Sequence, residues 1–215
     1  MGVAPRAVPP STVSRLPLYL RVLEGLAEQG VTTTSSDQLA RLAGVGPAQL
    51  RRDLSFLGSH GVRGVGYDVD HLRGRVADAL GLGVDLAVVI VGIGNLGHAL
   101  ANYVARGSSG FRVAALVDAA PEVVGSSVAG LVVADVRDLE EVLRRERVAL
   151  AVLATPADVA QEVCDRLVAA GVRGILTFVP RVLHVPDGVD LRAVDLGTEL
   201  QILAFHEQRK AAGRA

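Results

Sequence analysis

Apolar residues recur at helical spacing in the N-terminal part of the chain and as unbroken runs further on, so two regions of different architecture are expected. Leu16, Leu20, Leu23 and Ala27 form one stripe of a helix starting near Ser14, with Pro17 in its first turn, where the missing N–H costs no internal hydrogen bond. That helix stops at Gly30. Ser35-Ser36-Asp37-Gln38 has the spacing of a capping box and opens a short helix with Leu39, Leu42 and Ala43 inward, ended by Gly44. After Gly44-Val45-Gly46, Pro47 suits the first position of a third helix. In it Leu50, Leu54 and Leu57 share one face, and Ala48, Arg51, Arg52 and Ser55 share the other. Residues 59–69 alternate between short segments and glycines, the pattern of a hairpin. A helix from about His71 to Leu80 and the linker Gly81-Leu82-Gly83 follow.

Beyond the linker, Val88-Val89-Ile90-Val91 leads straight into Gly92-Ile93-Gly94-Asn95-Leu96-Gly97 and an amphipathic stretch ending near Arg106: strand, glycine turn, helix. The first glycine permits the turn, the second lets a pyrophosphate approach bare backbone, and the third lets helix and strand pack closely. The free N–H groups at the start of that helix favour phosphate. A second apolar run, Phe111 to Val117, ends in Asp118, twenty-one residues after Gly97, where a carboxylate can accept both hydroxyls of an adenosine ribose. No arginine follows Asp118 within several positions, which favours NAD over NADP; an ordinary strand-end turn is the alternative reading of Asp118. Leu131 to Val133 and Val148 to Ala154 read as further buried strands, the second ending in Thr155-Pro156, which can border a nicotinamide or simply cap the next helix. A helix from Ala157 to Ala170, a strand from Gly174 to Phe178 and a strand from Val189 to Val194 complete the sheet. The last helix carries Leu196, Leu200, Ile202, Leu203 and Phe205, more apolar surface than a lone terminal helix sustains, and a two-fold dimer is the commonest way to cover it.

This pattern divides the chain into a mobile N-terminal arm, 1–13, a winged helix-turn-helix domain, 14–82, a Rossmann domain, 84–195, and a C-terminal dimerisation helix and tail, 196–215. Within the second part the helix-turn-helix covers about 18–57 and the wing about 59–69. The fold class is α/β, with a small helical domain before a parallel sheet.

Charge narrows the function. With 215 residues and a formal net charge of -1, the chain has no general attraction for phosphate, so any contact with DNA needs a local basic face. Arg51 and Arg52 offer one, since an arginine can bind guanine O6 and N7 in bidentate fashion for about 1–3 kcal/mol of discrimination. Arg63, at the hairpin tip, suits a narrow minor groove, and Gly64 lets backbone approach a phosphate. Each arginine taken singly also fits a solvated surface. The lone Cys164 excludes an internal disulfide and a cysteine-based zinc site, and His60, His71, His98, His184 and His206 form no pair spaced for metal, so no metal is expected. No apolar run approaches the roughly 18 residues of a membrane span, and no signal-peptide core is present, which points to the cytoplasm and no membrane partner.

The segments Leu50-Arg51-Arg52-Asp53-Leu54-Ser55-Phe56-Leu57-Gly58-Ser59 and Gly61-Val62-Arg63-Gly64-Val65-Gly66-Tyr67, followed by the glycine fingerprint, resemble the Rex family of redox-sensing transcriptional repressors over nearly the whole chain. The resemblance implies a homodimer that binds operator DNA with inverted half-sites when NAD+ prevails and releases it when NADH binds, with no catalytic residues. It implies DNA contacts from Arg51, Arg52, Ser55, Arg63, Gly64 and Tyr67. It implies cofactor contacts from Gly92 to Gly97, Asp118, Thr155, Pro156 and Phe178. It also implies a C-terminal helix swapped into the partner, with Arg21, Tyr103 and Asp195 of the partner subunit at contacts that change with cofactor state. The chain departs from the family pattern at Thr177 and Val179, where asparagine and alanine are usual. It departs again at Ala120 and at Val123 and Val124 before Gly125, where an acid and a lysine are usual. The rival reading is a small NAD-dependent dehydrogenase or another Rossmann ligand binder such as a CoA-binding domain. Only about 20 residues follow the last strand, too few for a substrate domain, and no histidine stands out as a catalytic base.

Overall fold

The computed structural model describes residues 8–58, 61–62, 65–106 and 110–212, the side chains of 211 and 212 excepted. The chain forms two compact units, Met1–Val84 and Asp85–Ala215.

In the first unit, α1 (Pro10–Val13) and α2 (Leu16–Glu28) lead to β1 (Thr33–Thr34), α3 (Ser36–Leu42) and α4 (Pro47–Ser55); β2 (Gly61–Val62), β3 (Gly66–Asp68) and α5 (Val69–Ala79) follow. The buried stripe of α2 is Leu16, Tyr19, Leu20, Leu23 and Leu26, packed with Leu39, Leu50, Leu54, Leu72 and Val76 in one cluster. Ala27, expected in that stripe, is only partly buried. Ser35 caps α3, its Oγ accepting the Gln38 N–H at 3.1 Å, and Asp68 caps α5 through the His71 N–H at 2.8 Å. Leu42, expected inward, is 53% exposed, because Leu39, Ala40 and Ala43 already define the buried face and leave it beyond the edge. The polar connector after Gly30 contributes a strand that periodicity missed. β1 pairs with β3 and β3 with β2, all antiparallel, giving the order β1-β3-β2. Gly66, at φ +105°, lies where a Cβ would collide with the Thr34 carbonyl, so this crossing demands glycine.

The N-terminal arm needs correction. Residues 1–7 lie outside the described residues, but Pro10–Val13 form a helical turn and Thr12 is 2% exposed. Proline content suggested mobility. A long-range bond from Thr12 to Asp53 overrides it.

The second unit contains β4 (Leu86–Val91), α6 (Asn95–Ala105), β5 (Phe111–Asp118), β6 (Ser127–Val128) and β7 (Leu131–Asp135). A 3-10 turn (Val136–Asp138), α7 (Leu139–Arg145), β8 (Leu150–Leu153), α8 (Ala160–Ala169), β9 (Gly174–Thr177), β10 (Asp190–Ala193) and α9 (Leu196–Ala212) complete it. The sheet runs β10-β9-β8-β4-β5-β7-β6, parallel throughout except for the β6–β7 pair. Val89, Val91, Val117 and Leu153 face a core closed by Leu139 and Leu143 of α7 and by Val163, Cys164 and Leu167 of α8. Val88, Ile90, Leu116 and Val152 point the other way, toward Ala101 of α6. Burial on both faces explains the unbroken apolar runs. After β7 the chain crosses to the far side of β4, and ligands of such sheets lie outside the strand ends where the order reverses, here between β4 and β8.

Candidate functional site

On α4, Gly46 precedes Pro47 at the first turn, Leu50 and Leu54 anchor the helix in the core, and Arg51, Arg52 and Ser55 are exposed. Arg51 is engaged within the unit: its Nη1 donates to Ser36 Oγ at 3.0 Å and lies 3.6 Å from Asp37. Ser55 Oγ donates to the Arg52 carbonyl at 2.6 Å. Tyr67 differs from expectation. It is 9% exposed and packs in the core beneath β2, where a Cβ on Gly61 would already touch its ring at 3.0 Å. The residue keeps an edge on a cleft shared with Ser35, Ser36, Arg51, Val62 and Val65. Burial pushes its phenol up. Arg63 and Gly64 lie outside the described residues.

Asp53 is the residue that sequence reading passed over. It sits on the inner side of α4, fully buried, and accepts Thr12 Oγ1 at 2.9 Å, Arg15 Nε at 2.6 Å, Arg15 Nη2 at 2.8 Å, Tyr19 Oη at 2.6 Å and Gln49 Nε2 at 2.9 Å. Burial alone would raise its pKa. The donors, Arg15 foremost, win and hold the carboxyl well below the ordinary range. Burial, reinforced by the neighbouring carboxylate, pushes the Tyr19 phenol up to about 12. The signal was present in two places. Asp53 falls between Leu50 and Leu54 on the apolar side, and Thr12, Arg15 and Tyr19 are spaced three and four apart.

In the second unit, Gly92 takes φ +93°, and a Cβ there would meet the Ala154 carbonyl at 2.6 Å and the Thr155 nitrogen at 2.8 Å. A Cβ on Gly97 would strike the Gly92 carbonyl, so this glycine is what lets α6 lie against the turn. Gly94 is different. Its φ of -70° suits any residue, and a Cβ there would meet nothing within 4 Å, so the protein itself makes no demand for glycine. Exposed backbone at a helix N-terminus beside empty space fits a pyrophosphate, with Asn95 and Leu96 also exposed at that mouth. Asp118 holds the turn, accepting the Ile93 N–H at 2.5 Å and the Ala120 N–H at 2.7 Å, which leaves each oxygen a free lone pair for a ribose hydroxyl. Ala120 thus contributes its backbone where the family usually has an acid.

At the end of β8, Thr155 Oγ1 is buried with no hydrogen-bond partner among the described residues, a hydroxyl in want of a ligand next to the glycine turn. Pro156 beside it is exposed. Phe178 is partly buried and its N–H donates to the Leu153 carbonyl at 3.0 Å, which brings the end of β9 to the same crevice. Thr177, 1% exposed, accepts the Val179 N–H at 3.2 Å, so its hydroxyl serves the turn itself, and the Val179 side chain is buried in the core beside β9. On the other side of Asp118, Ala119, Pro121, Val124, Val136 and the pair Asp135 and Arg137 line a cleft of about 480 Å³. Arg137 arrives from the 3-10 turn after the neighbouring strand β7, out of reach of a scan along the chain.

Tyr103 is 72% exposed. Asp195 accepts the Gly197 N–H at 2.9 Å and Thr198 Oγ1 at 2.7 Å at the start of α9, and these bonds hold its carboxyl below the usual value. Arg21 is exposed in the other unit. On the sheet, Val88, Val104, Phe111, Leu150, Val152 and Leu176 line an apolar groove of about 390 Å³, with Asp190 and Arg192 also on it. Among the described residues no helix is long and apolar enough to cross a membrane, and no group of acids, histidines and cysteine is placed to hold a metal ion.

Comparison with known proteins matches both units. Residues 7–55 fit a family model described as the N-terminus of putative DNA-binding proteins, and residues 85–181 fit one described as a CoA binding domain. The redox-sensing transcriptional repressor Rex of Streptomyces coelicolor is 59% identical over 210 residues, covering 98% of this chain and 81% of that protein. The repressor of the same name from Carboxydothermus hydrogenoformans is 43% identical over 202 residues, covering 94% of this chain and 97% of its own. Among solved structures, RSP, a Rex-family repressor, in complex with beta-NAD+ and operator DNA superposes with a TM-score of 0.90 at 35% identity, covering 97% of this chain and 96% of that one. RSP in complex with beta-NADH gives 0.87 at 34% identity, covering 97% and 98%.

Proposed function

The chain belongs to the Rex family of redox-sensing transcriptional repressors, and from that premise we propose that it is a cytoplasmic homodimer that holds inverted-repeat operator DNA while NAD+ prevails and releases it when NADH binds. The observation that carries the reading is Gly94: bare backbone at a helix N-terminus, facing space that the protein leaves open, in a chain whose other unit presents Arg51 and Arg52 on a helix face. RSP is named as bound to beta-NAD+ with operator DNA and separately to beta-NADH, which supports a reading that pairs cofactor and DNA. Relatives that span the chain are named repressors, which sets the dehydrogenase alternative aside.

The residues divide the work. The N–H groups from Gly92 to Gly97 hold the pyrophosphate, Asp118 holds the adenosine ribose, and Thr155, Pro156 and Phe178 border the nicotinamide, whose oxidation state is the signal. Arg51, Arg52 and Ser55 read the major groove, and Arg63, Gly64 and the edge of Tyr67 serve the wing. Arg21, Tyr103 and Asp195 of the partner subunit form the contacts that change with cofactor state. Because linkage is reciprocal, NADH must weaken DNA binding by the same factor that DNA weakens NADH binding, and a coupling of about 1–3 kcal/mol suffices for graded repression. NAD+ must discriminate less between the two states, or the protein would report the amount of cofactor and not its redox state.

Dimerisation follows from surface that one chain leaves bare. Leu196, Leu200, Leu203 and Phe205 are exposed on α9, and Val88, Leu150 and Leu176 line an open apolar groove. A second copy supplies a helix for that groove, and the swap covers both surfaces at once. The test is binding of the full chain to fluorescent inverted-repeat duplexes at fixed salt, titrated separately with NADH, NAD+ and NADPH. Release by NADH at concentrations where NAD+ has little effect is expected. Tight NADH binding without specific DNA binding refutes the repressor reading.

A further inference from the structure

Asp135 ends β7 as the register partner of Asp118, one strand spacing of about 4.8 Å away. Its carboxylate accepts the Arg137 N–H at 2.8 Å and Arg137 Nη2 at 2.5 Å. That double grip, the side-chain bond first, holds the Asp135 carboxyl down at about 2. Arg137 itself is 85% exposed, and its guanidinium is tethered by Asp135. The cleft it lines is otherwise made by Ala119, Pro121, Val124, Asp135 and Val136, and among the described residues Arg137 is the one cation lining it.

We propose that Arg137 forms one wall of the adenine pocket, its guanidinium plane lying against the purine ring of the bound dinucleotide, a role that rests on the NAD(H)-binding reading above. Apolar walls and a planar cation suit a neutral aromatic ring. They suit a 2′-phosphate poorly. The charge of Arg137 is already matched by Asp135, and with Asp118 paired beside Asp135 and Asp138 near enough to act on Arg137 the local sum is negative, which repels a second anion. Because Asp135 holds the guanidinium in place before ligand arrives, stacking forfeits little of the rotamer freedom that an unrestrained arginine would lose. The loop after Asp118, Ala119 to Val124, carries one charged residue, the acid Glu122, and no cation, so a cation for the adenine comes from Arg137 in the turn that follows the adjacent strand.

The experiment is calorimetric titration of the full chain and of its Arg137→Ala and Arg137→Lys variants with ADP-ribose, NADH and NADPH. Arg137→Ala should weaken ADP-ribose and NADH by the same factor, roughly threefold, with Arg137→Lys recovering part of it and the melting temperature unchanged. An unaltered ADP-ribose affinity in Arg137→Ala overturns the proposal. A loss confined to NADPH also overturns it and makes Arg137 a phosphate contact. Wild-type protein that binds neither ADP-ribose nor NADH overturns the dinucleotide reading and this inference with it, whereas wild-type binding that survives Arg137→Ala overturns the inference alone.

Discussion

Replacing Asp53 by alanine should cost the first unit about 3–5 kcal/mol of unfolding free energy, the usual range when one partner of a buried ion pair is removed. The structure accounts for a figure of that size. Five hydrogen bonds converge on this fully buried carboxylate, and its loss orphans the Tyr19 hydroxyl and the Thr12 hydroxyl, both buried, at about 1–3 kcal/mol for each group left unsatisfied. It also leaves the Arg15 guanidinium without its anion. The chain has no tryptophan, so urea denaturation is best followed by far-ultraviolet circular dichroism and tyrosine emission. The Arg15→Ala, Asp53→Ala double variant should lose less than the sum of the two single changes, because the second removes a partner already gone. The pH dependence has a definite sign. A depressed carboxyl contributes stability that is complete above its unfolded value of about 3.9 and drains as pH falls below it. A raised phenol contributes stability that is complete below about pH 10 and is lost as pH climbs toward about 12. The hub therefore supports the unit fully between about pH 4 and pH 10. A cost below about 1 kcal/mol, or strict additivity of the two changes, refutes the reasoning.

Gly94→Val should leave operator affinity and melting temperature unchanged and weaken NADH binding at least tenfold, since a Cβ there meets no protein atom within 4 Å and the side chain occupies the space assigned to pyrophosphate; titration by NADH fluorescence checks it. Arg52→Ala should weaken operator binding by about 1–3 kcal/mol in an anisotropy assay, with NADH affinity intact. Leu203→Asp should shift the protein from dimer to monomer in light scattering, because a carboxylate would replace an exposed apolar group on the face assigned to the partner's groove.

Local rules carried much of the architecture. Helices, the glycine turn and the parallel strands were legible because each side chain's choice there is made by its own element: period 3.6 for a buried stripe, continuous apolar runs for strands covered on both faces. The three-stranded sheet was half legible. β1 consists of two threonines with no period to read, and it exists because Gly66 lets β3 approach the Thr34 carbonyl. In the crevice proposed for the cofactor, Gly92, Gly97 and Asp118 could be read from spacing, whereas Arg137 could not, since the pairing of Asp118 with Asp135, two residues before Arg137, and not proximity along the chain, brings that turn near. The burial of the Tyr67 ring was not legible either, since the pairing of β3 with β2 sets it beneath Gly61 in the core while one edge stays on the cleft. The N-terminal turn was hidden for the same reason as Asp53, because each is explained only by the other.

The Asp53 hub also bears on how a redox signal can reach DNA. Arg51 and Arg52 stand on a helix whose inner side is fixed by a carboxylate tied to α1 and α2, and Arg51 is further tied to Ser36. Loosening that helix costs about 3–5 kcal/mol. The coupling needed for graded release is about 1–3 kcal/mol. A ligand that acted by melting α4 would have to spend more on the protein than it is required to take from the DNA. Moving intact helices of a dimer out of register with two half-sites avoids that cost, because contacts to base edges fail when side chains shift relative to the groove, with no hydrogen bond inside the unit broken. NADH titration of the free protein should therefore leave amide-exchange protection of residues 49–55 unchanged while operator affinity falls, and loss of protection there on NADH binding would mean that the reading helix itself is the switch.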